Sequence, residues 1–372
     1  MRRTAVAIGV LVALLAPAPA DSQAKRSVPR GFYGVFWDGK VKDKSGSNTR
    51  LREWDRMVRS GVESVRTTFD WAAAQRGPEL PVSFGQTDPL VRLAATHDIE
   101  LLPVVTTPPR WARGGQAPYS APVHPSDYAA YVVALIGRYG PQGSYWASHP
   151  GVPRKPIRAW EIWNEPPLDY YYGVPAGEDW AASYGKLLRV SHDAIKAADP
   201  GARVVLAGLP NASWDFLRAL YERGDVKGNF DVAAVHPYTS QRHGVIEIVR
   251  RFRKVMADKG DGDTPLWVTE LGLPAAIGRA NSSTTLQTSD DGMKRFLTEA
   301  YTDLVAGRKS STTKVDRAYW YTWASSYTGN NIWNYSGLLQ HTWTTKREEI
   351  VPMLSLRAYR NSALAAEGRQ PQ

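Results

Sequence analysis

Ala159-Trp160-Glu161-Ile162-Trp163-Asn164-Glu165-Pro166-Pro167 is the stretch from which the rest of this chain is read. Its short aromatic and aliphatic run suits a buried strand. Two prolines end it abruptly, because proline has no amide N–H to give a neighbouring strand. Asn164 and Glu165 therefore sit where strand becomes loop. A second stretch matches it: Leu266-Trp267-Val268-Thr269-Glu270-Leu271-Gly272 is also apolar and also ends on a glutamate beside a chain breaker. Two strand ends thus carry a candidate pair of carboxyls.

Outward from these stretches, short apolar runs alternate with helical patterns. Strands are expected at Phe32 to Trp37, Val62 to Trp71, Ile99 to Val105, Ile157 to Glu165, Arg203 to Ala207, Asp231 to Val235, Leu266 to Glu270 and Arg317 to Trp323. Between them lie apolar faces at helical spacing, such as Tyr128, Tyr131, Val132, Leu135 and Ile136 behind a Ser126 cap, and Met293, Phe296, Leu297, Tyr301 and Leu304. A last helix is expected over Met353 to Leu364. Eight strand and helix alternations without a composition break predict an α/β single-domain (β/α)8 barrel, whose chemistry sits at the C-terminal ends of its strands. The catalytic barrel is expected over residues 31–366, after a linker at 21–30 and before a tail at 367–372. The stretches after the fourth, seventh and eighth strands, with Tyr170-Tyr171-Tyr172, Gly278 to Ser289 and Tyr327 to Thr345, read as long cleft-building loops.

Composition narrows the class. The chain has 372 residues, 43% of them hydrophobic, and 14 tryptophans, which is enough for a large core and excludes a disordered protein. Arg2 and Arg3, the apolar run Ala5 to Ala16 and Ala18-Pro19-Ala20 read as a secretion signal cut near Asp21, so residues 1–20 are expected to be removed and the protein to be extracellular. That run is too short for a membrane span. With no cysteine there is no disulfide, thiol chemistry or lipoprotein anchor. The net charge of +10 is scattered. Its one run, Arg250-Arg251-Phe252-Arg253-Lys254, is the solvated face of an amphipathic helix, so no nucleic-acid partner is expected.

The Trp163-Asn164-Glu165-Pro166 and Thr269-Glu270-Leu271-Gly272 motifs resemble those of the clan A glycoside hydrolases, and Glu-Ile-Trp-Asn-Glu-Pro particularly resembles families 39 and 5. The resemblance implies Glu165 as general acid/base, Glu270 as nucleophile and Asn164 as the group that bonds the sugar 2-hydroxyl. The chemistry asks for the same division. Retaining hydrolysis needs one carboxyl kept protonated and a second kept ionised about 5 to 5.5 Å away. The resemblance also implies Arg66 beneath the nucleophile, Tyr238 as a donor to it, His236 lining the floor near the sugar, and Trp323 as the surface on which the sugar stacks. From the residues alone, Arg66 can instead pair with Asp70 or Glu63 at its strand end. His236 can be a core histidine, and Trp323 a core tryptophan.

Trp37, Trp71, Trp111 and Trp333 also fall near strand ends and can form a stacking platform. Glu161 shares the strand parity of Glu165 and should point into the barrel, where a buried charge needs a partner such as Arg158 or Arg203. Strict alternation cannot turn both Asn164 and Glu165 to the substrate, so the strand end must twist or bulge. The remaining histidines lack metal-ligand spacing, so neither metal nor cofactor is expected. Asn211, Asn281 and Asn334 begin Asn-x-Ser sequons. The expectation is a secreted monomer that hydrolyses a β-linked polysaccharide or oligosaccharide with retention, more in the endo than the exo manner of a β-xylosidase. Transglycosylation would use the same residues. A sugar-binding barrel without catalysis is the rival class.

Overall fold

The computed structural model describes residues 25–39, 49–343 and 348–369. The expected leader lies outside the described residues, as do residues 21–24 of the linker and 370–372 of the tail. In chain order the elements begin β1 (Tyr33–Phe36), α1 (Thr49–Arg59), β2 (Ser64–Asp70), α2 (Trp71–Ala74), α3 (Thr87–Thr96), β3 (Glu100–Thr106), α4 (Pro125–Tyr139), α5 (Ser144–Ser148) and β4 (Ala159–Ile162). They continue with α6 (Trp180–Ala198), β5 (Arg203–Leu206), β6 (Leu209–Pro210), α7 (Ser213–Arg223), β7 (Ala233–His236), α8 (Gly244–Asp258), β8 (Leu266–Leu271), α9 (Asp290–Gly307) and β9 (Arg317–Tyr321). The chain closes with β10 (Ala324–Ser325), β11 (Leu339–Trp343), β12 (Glu348–Pro352) and α10 (Leu354–Ala366). The two-residue β6 was not foreseen, so the expected sixth, seventh and eighth strands are β7, β8 and β9.

One parallel sheet runs in the order β5-β4-β3-β2-β1-β9-β8-β7-β6. A parallel bridge between Val205 and Val232 joins its ends, and the Leu206 amide donates to the Val232 carbonyl at 2.9 Å. The sheet therefore curls into the expected (β/α)8 barrel. Crossover helices cover parallel strands on the outside while the barrel interior covers them within, so β4, β7 and β8 are buried at every residue. The barrel base is plugged by Leu102, Ala159, Val205, Ala234, Trp267 and Tyr319. Polar starts hold the helices in place: Asp179 accepts from the Ala182 amide at the head of α6, and Ser289 from Gly292 at the head of α9. Among the described residues no helix is long and apolar enough to cross a membrane.

Several expectations need correction. The presumed linker is packed: Val28 is buried, the Ser27 amide donates to the Ala366 carbonyl, and Arg26 pairs with Glu63 at 2.5 Å. Helix α4 starts at Pro125, which needs no N–H partner in the first turn, and Ser126 does not cap it. The presumed loop after β9 folds into a second sheet, with β10 parallel and β12 antiparallel to β11. Strand β4 stops at Ile162, and Trp163 (φ 74°) and Glu165 (φ 46°) both take left-handed backbone. Each such residue costs about 1–3 kcal/mol, strain that the surrounding packing must hold. This is the twist that the sequence required to present both Asn164 and Glu165.

Candidate active site

Glu165 follows β4 and Glu270 lies on β8, across the C-terminal mouth of the barrel. One oxygen of each carboxyl lies within 4.8 Å of the other and of a His236 ring nitrogen. Below them Arg66, from β2, is fully buried. Its Nη1 donates to Glu270 Oε1 at 2.5 Å, its Nε to Glu161 Oε2 at 2.5 Å and its Nη2 to Asn164 Oδ1 at 2.8 Å. Neither Asp70 nor Glu63 is its partner, since Asp70 accepts from the Ala73 amide at the head of α2 and Glu63 takes Arg26. Glu161 points inward as its parity implied, but pairs with Arg66 rather than Arg158 or Arg203.

The second oxygen of Glu270 accepts from the Tyr238 hydroxyl at 2.7 Å. Burial, reinforced by the Glu270 charge, pushes the Tyr238 phenol well above its usual range, so it stays a donor. His236 Nδ1 lies 2.7 Å from Glu165 Oε1, and its Nε2 lies 3.0 Å from Thr269 Oγ1. The imidazole is buried and does not line the cleft, which corrects its expected place against the sugar: it positions Glu165 from beneath. Gly208 makes that possible, because a Cβ there would fall 1.9 Å from the ring.

These surroundings push the two carboxyls in opposite directions. Burial raises Glu165 above the ordinary carboxyl range, more than its bond to His236 lowers it. Burial alone would raise Glu270 too, but attraction to His236 and Arg66 and the bonds from Tyr238 and Arg66 outweigh it and hold Glu270 below that range. Paired carboxyls with separated pKa values divide into a proton donor and a charged partner.

The cleft above has a volume of about 1010 Å³. Trp37 lines it on the β1 side, Tyr119, Tyr170 and Tyr171 on the β3–β4 side, and Tyr321 and Trp333 beyond β9. Trp323 does not line it, contrary to expectation. Strand β9 ends two residues earlier, and the buried Trp323 indole donates to Glu53 of α1 at 3.1 Å. Tyr321 stands at the strand end instead, edge-on to Trp333 at 5.9 Å. Trp71 is likewise core, packed against Tyr131 and Trp111, and neither it nor Trp111 faces the cleft. Asn211 and Asn334 line the cleft and their sequon serines, Ser213 and Ser336, are buried.

Among the described residues two groups have metal-ligand proximity: Glu165, His236 and Glu270 in the site, and His243, Glu299 and Asp303 on the surface. In the first, the Arg66 guanidinium already supplies a cation to Glu270. In the second, the His243 amide and Arg242 occupy Glu299, and His243 Nδ1 lies 2.7 Å from Asp303.

A closed barrel with one carboxyl beyond β4 and another on β8, above a buried arginine, belongs to the class of enzymes that cleave glycosidic bonds. Residues 162–354, more than half of the chain, match the family described as the glycosyl hydrolase catalytic core. The chain belongs to that family, and its motifs resemble those of the clan A glycoside hydrolases. It superposes with a TM-score of 0.66 on a family 39 glycoside hydrolase from Bacteroides cellulosilyticus WH2, at 17% identity over 92% of this chain. The match spans 64% of that longer chain. A monomeric beta-xylosidase from Caulobacter crescentus CB15 gives 0.62 at 18% identity, over 91% of this chain and 69% of its own. The GH53 catalytic domain from Ignisphaera aggregans gives 0.57 at 18% identity, over 93% and 98%. At these identities the likeness is one of fold. No functionally curated protein matches in sequence.

Proposed function

We propose that this glycoside hydrolase cleaves a β-linked polysaccharide with net retention, acting within the chain. The opposed displacement of the Glu165 and Glu270 pKa values carries the reading, supported by a carboxyl approach close to the spacing of retaining pairs, about 5–5.5 Å. Glu165 gives its proton to the leaving oxygen while Glu270 attacks the anomeric carbon, and a glycosyl ester forms on Glu270. Glu165, now ionised, takes a proton from water, whose oxygen attacks the same carbon and frees Glu270. Arg66 and Tyr238 keep Glu270 charged and aimed. Because Arg66 holds the Asn164 oxygen, the NH₂ of that amide is left to meet the sugar 2-hydroxyl.

The cleft lies at the upper end of ordinary ligand pockets, about 300–1,000 Å³, which favours several sugar units over one. The β10–β12 sheet supports an exo-acting alternative, because Ala324, Ser325, His341 and Ile350 of its strands line the cleft; one fold neighbour bears the name beta-xylosidase. We place the enzyme outside the cell, cut near Asp21, on the strength of its N-terminal sequence. N-terminal sequencing of the protein recovered from culture medium tests that placement.

The functional test is a hydrolysis screen on β-glucans, xylans, mannans, galactans and arabinans, run beside Glu165→Ala and Glu270→Ala. Wild-type cleavage that both variants lose supports the pair. A ladder of short oligosaccharides indicates action within the chain, and monosaccharide alone the exo reading. Equal turnover by all three proteins removes the assignment. Binding without cleavage would favour the sugar-binding rival.

A further inference from the structure

Asp38 has no part in the carboxyl pair, yet it is the most completely fixed acceptor on the β1 wall of the cleft. It follows β1 by two residues and lines the cleft beside Trp37. Its Oδ1 accepts from the Thr68 amide at 2.7 Å and the Thr67 hydroxyl at 3.2 Å, and its Oδ2 from the Thr68 hydroxyl at 2.7 Å. Thr67 and Thr68 follow Arg66 on β2, and Arg66 holds Glu270. Two adjacent, paired strands thus fix the distance from Asp38 to the proposed nucleophile.

Three neutral donors occupy a carboxylate with about four acceptor positions, so one position on Oδ2 remains. Among the described residues no cation forms an ion pair with Asp38. It is open to the solvent of the cleft although protein surrounds it, and that burial raises its carboxyl above the ordinary range. An exposed carboxylate fixed by three bonds, with one acceptor position left towards the cleft, is an acceptor already oriented for a ligand. Its neighbour is equally fixed. The Trp37 indole packs 6.1 Å from Trp54, and it folds so closely over Gly39 that a Cβ there would lie 2.0 Å from the ring. A flat apolar surface next to an immobile acceptor suits a sugar ring, which offers an apolar face and hydroxyls at its edge.

We propose that Asp38 is a specificity-determining residue of the sugar-binding site. It accepts a hydrogen bond from a hydroxyl of the sugar whose anomeric carbon reacts, on the ring edge away from the 2-hydroxyl, while Trp37 supports that ring. The assignment rests on the retaining-hydrolase reading. Asn164, beyond β4, serves the 2-hydroxyl side, and Asp38 stands across the barrel from it, just beyond β1. Asp38 then makes the site selective for position and configuration of hydroxyls remote from C2, while discrimination at C2 stays with Asn164.

The test compares wild type, Asp38→Ala and Asp38→Asn on the 4-nitrophenyl β-glycosides of glucose, galactose, xylose and mannose, or on the matching oligosaccharides where the enzyme needs a longer chain. Glucose and galactose differ at C4, xylose lacks the C6 group, and mannose differs at C2. Loss of a hydrogen bond to a charged acceptor should lower kcat/KM for the preferred sugar about 10- to 100-fold. It should bring the glucoside, galactoside and xyloside to within about threefold of each other, and leave the glucoside-to-mannoside ratio unchanged. Asp38→Asn keeps the side chain's shape and its bonds to Thr67 and Thr68 in part, so it separates recognition from folding. Either variant with the wild-type ranking intact, whether its rate falls uniformly or not at all, overturns the role of Asp38. If Glu165→Ala and Glu270→Ala are inactive in the same assay, the hydrolase reading stands without it. A wild type that cleaves none of these compounds and no polysaccharide overturns both.

Discussion

Replacing Arg66 by methionine tests the foundation of the site, because one guanidinium serves two buried carboxylates and the Asn164 amide. Methionine fills a similar volume but leaves Glu161 facing only the Gly208 amide, at 3.2 Å, and Glu270 with Tyr238 and, at 3.8 Å, the His236 ring. Removing one member of a buried ion pair costs about 3–5 kcal/mol. With two carboxylates stranded, the upper end of that range applies, about 5 kcal/mol. Unfolding entropy of about 2.1 cal/mol/K per residue over the roughly 330 described residues converts this to a fall in Tm of about 7 °C. Adding Glu161→Gln removes one stranded charge and should recover about 1–3 kcal/mol.

The pH dependence fixes the sign. Glu270 is held below the ordinary range in the folded state, so its contribution to stability is present above the unfolded carboxyl value, about 4.5, and is lost as pH falls through the lower folded value. In Arg66→Met Glu270 loses the charge and the bond of the guanidinium, so its folded value rises and that contribution shrinks. Thermal unfolding from pH 3 to 8, with kcat/KM measured on the substrate the screen identifies, should show the acid limb moved to higher pH in the variant. An acid limb that does not move, together with a stability loss under about 1 kcal/mol, would mean that Arg66 neither charges Glu270 nor supports the barrel.

Glu165→Gln should lower kcat on substrates with poor leaving groups about 10²- to 10⁴-fold while raising stability at neutral pH. The raised folded value of Glu165 means that the wild type loses stability as pH rises through it, and glutamine cannot ionise, so the gain should vanish below about pH 4.5; paired melts at pH 4 and 7.5 read this directly. Trp323→Ala should cost about 3–5 kcal/mol and leave KM within twofold, whereas Trp333→Ala should raise KM severalfold and change Tm by less than about 2 °C. Denaturant titration beside steady-state kinetics separates the two tryptophans, and the reverse pattern would restore Trp323 to the cleft.

The features legible in the sequence are those a strand carries along its own length. Strands β4 and β8 were readable because parallel strands buried on both faces appear as apolar runs, and because Pro166 and Gly272 mark their ends. Parity alone turned Glu161 inward. What parity cannot say is which residue of which strand shares a layer, since that depends on register and on barrel closure. Arg66 lies two strands from Glu161 in the sheet and 95 positions away in sequence, so nearby Arg158 and Arg203 were the nearer guesses.

The same limit hid the link between Gly208 and His236, which exists only because β6 runs beside β7. Trp323 failed for another reason. In Tyr319-Trp320-Tyr321-Thr322-Trp323 every residue suits a strand, so nothing marks Tyr321 as the last, and the aromatic that lines the cleft is Tyr321, two positions before Trp323. The strands β11 and β12 were hidden because a small accessory sheet needs no continuous apolar run. The residues that line the cleft were thus mostly readable, while the layer beneath them, Arg66 with Glu161 and His236 with Thr269, is assembled by strand order. It follows that a motif search can place a glutamate at the end of β8, but its role as the charged member of the pair depends on what β2 and β7 bring beneath it.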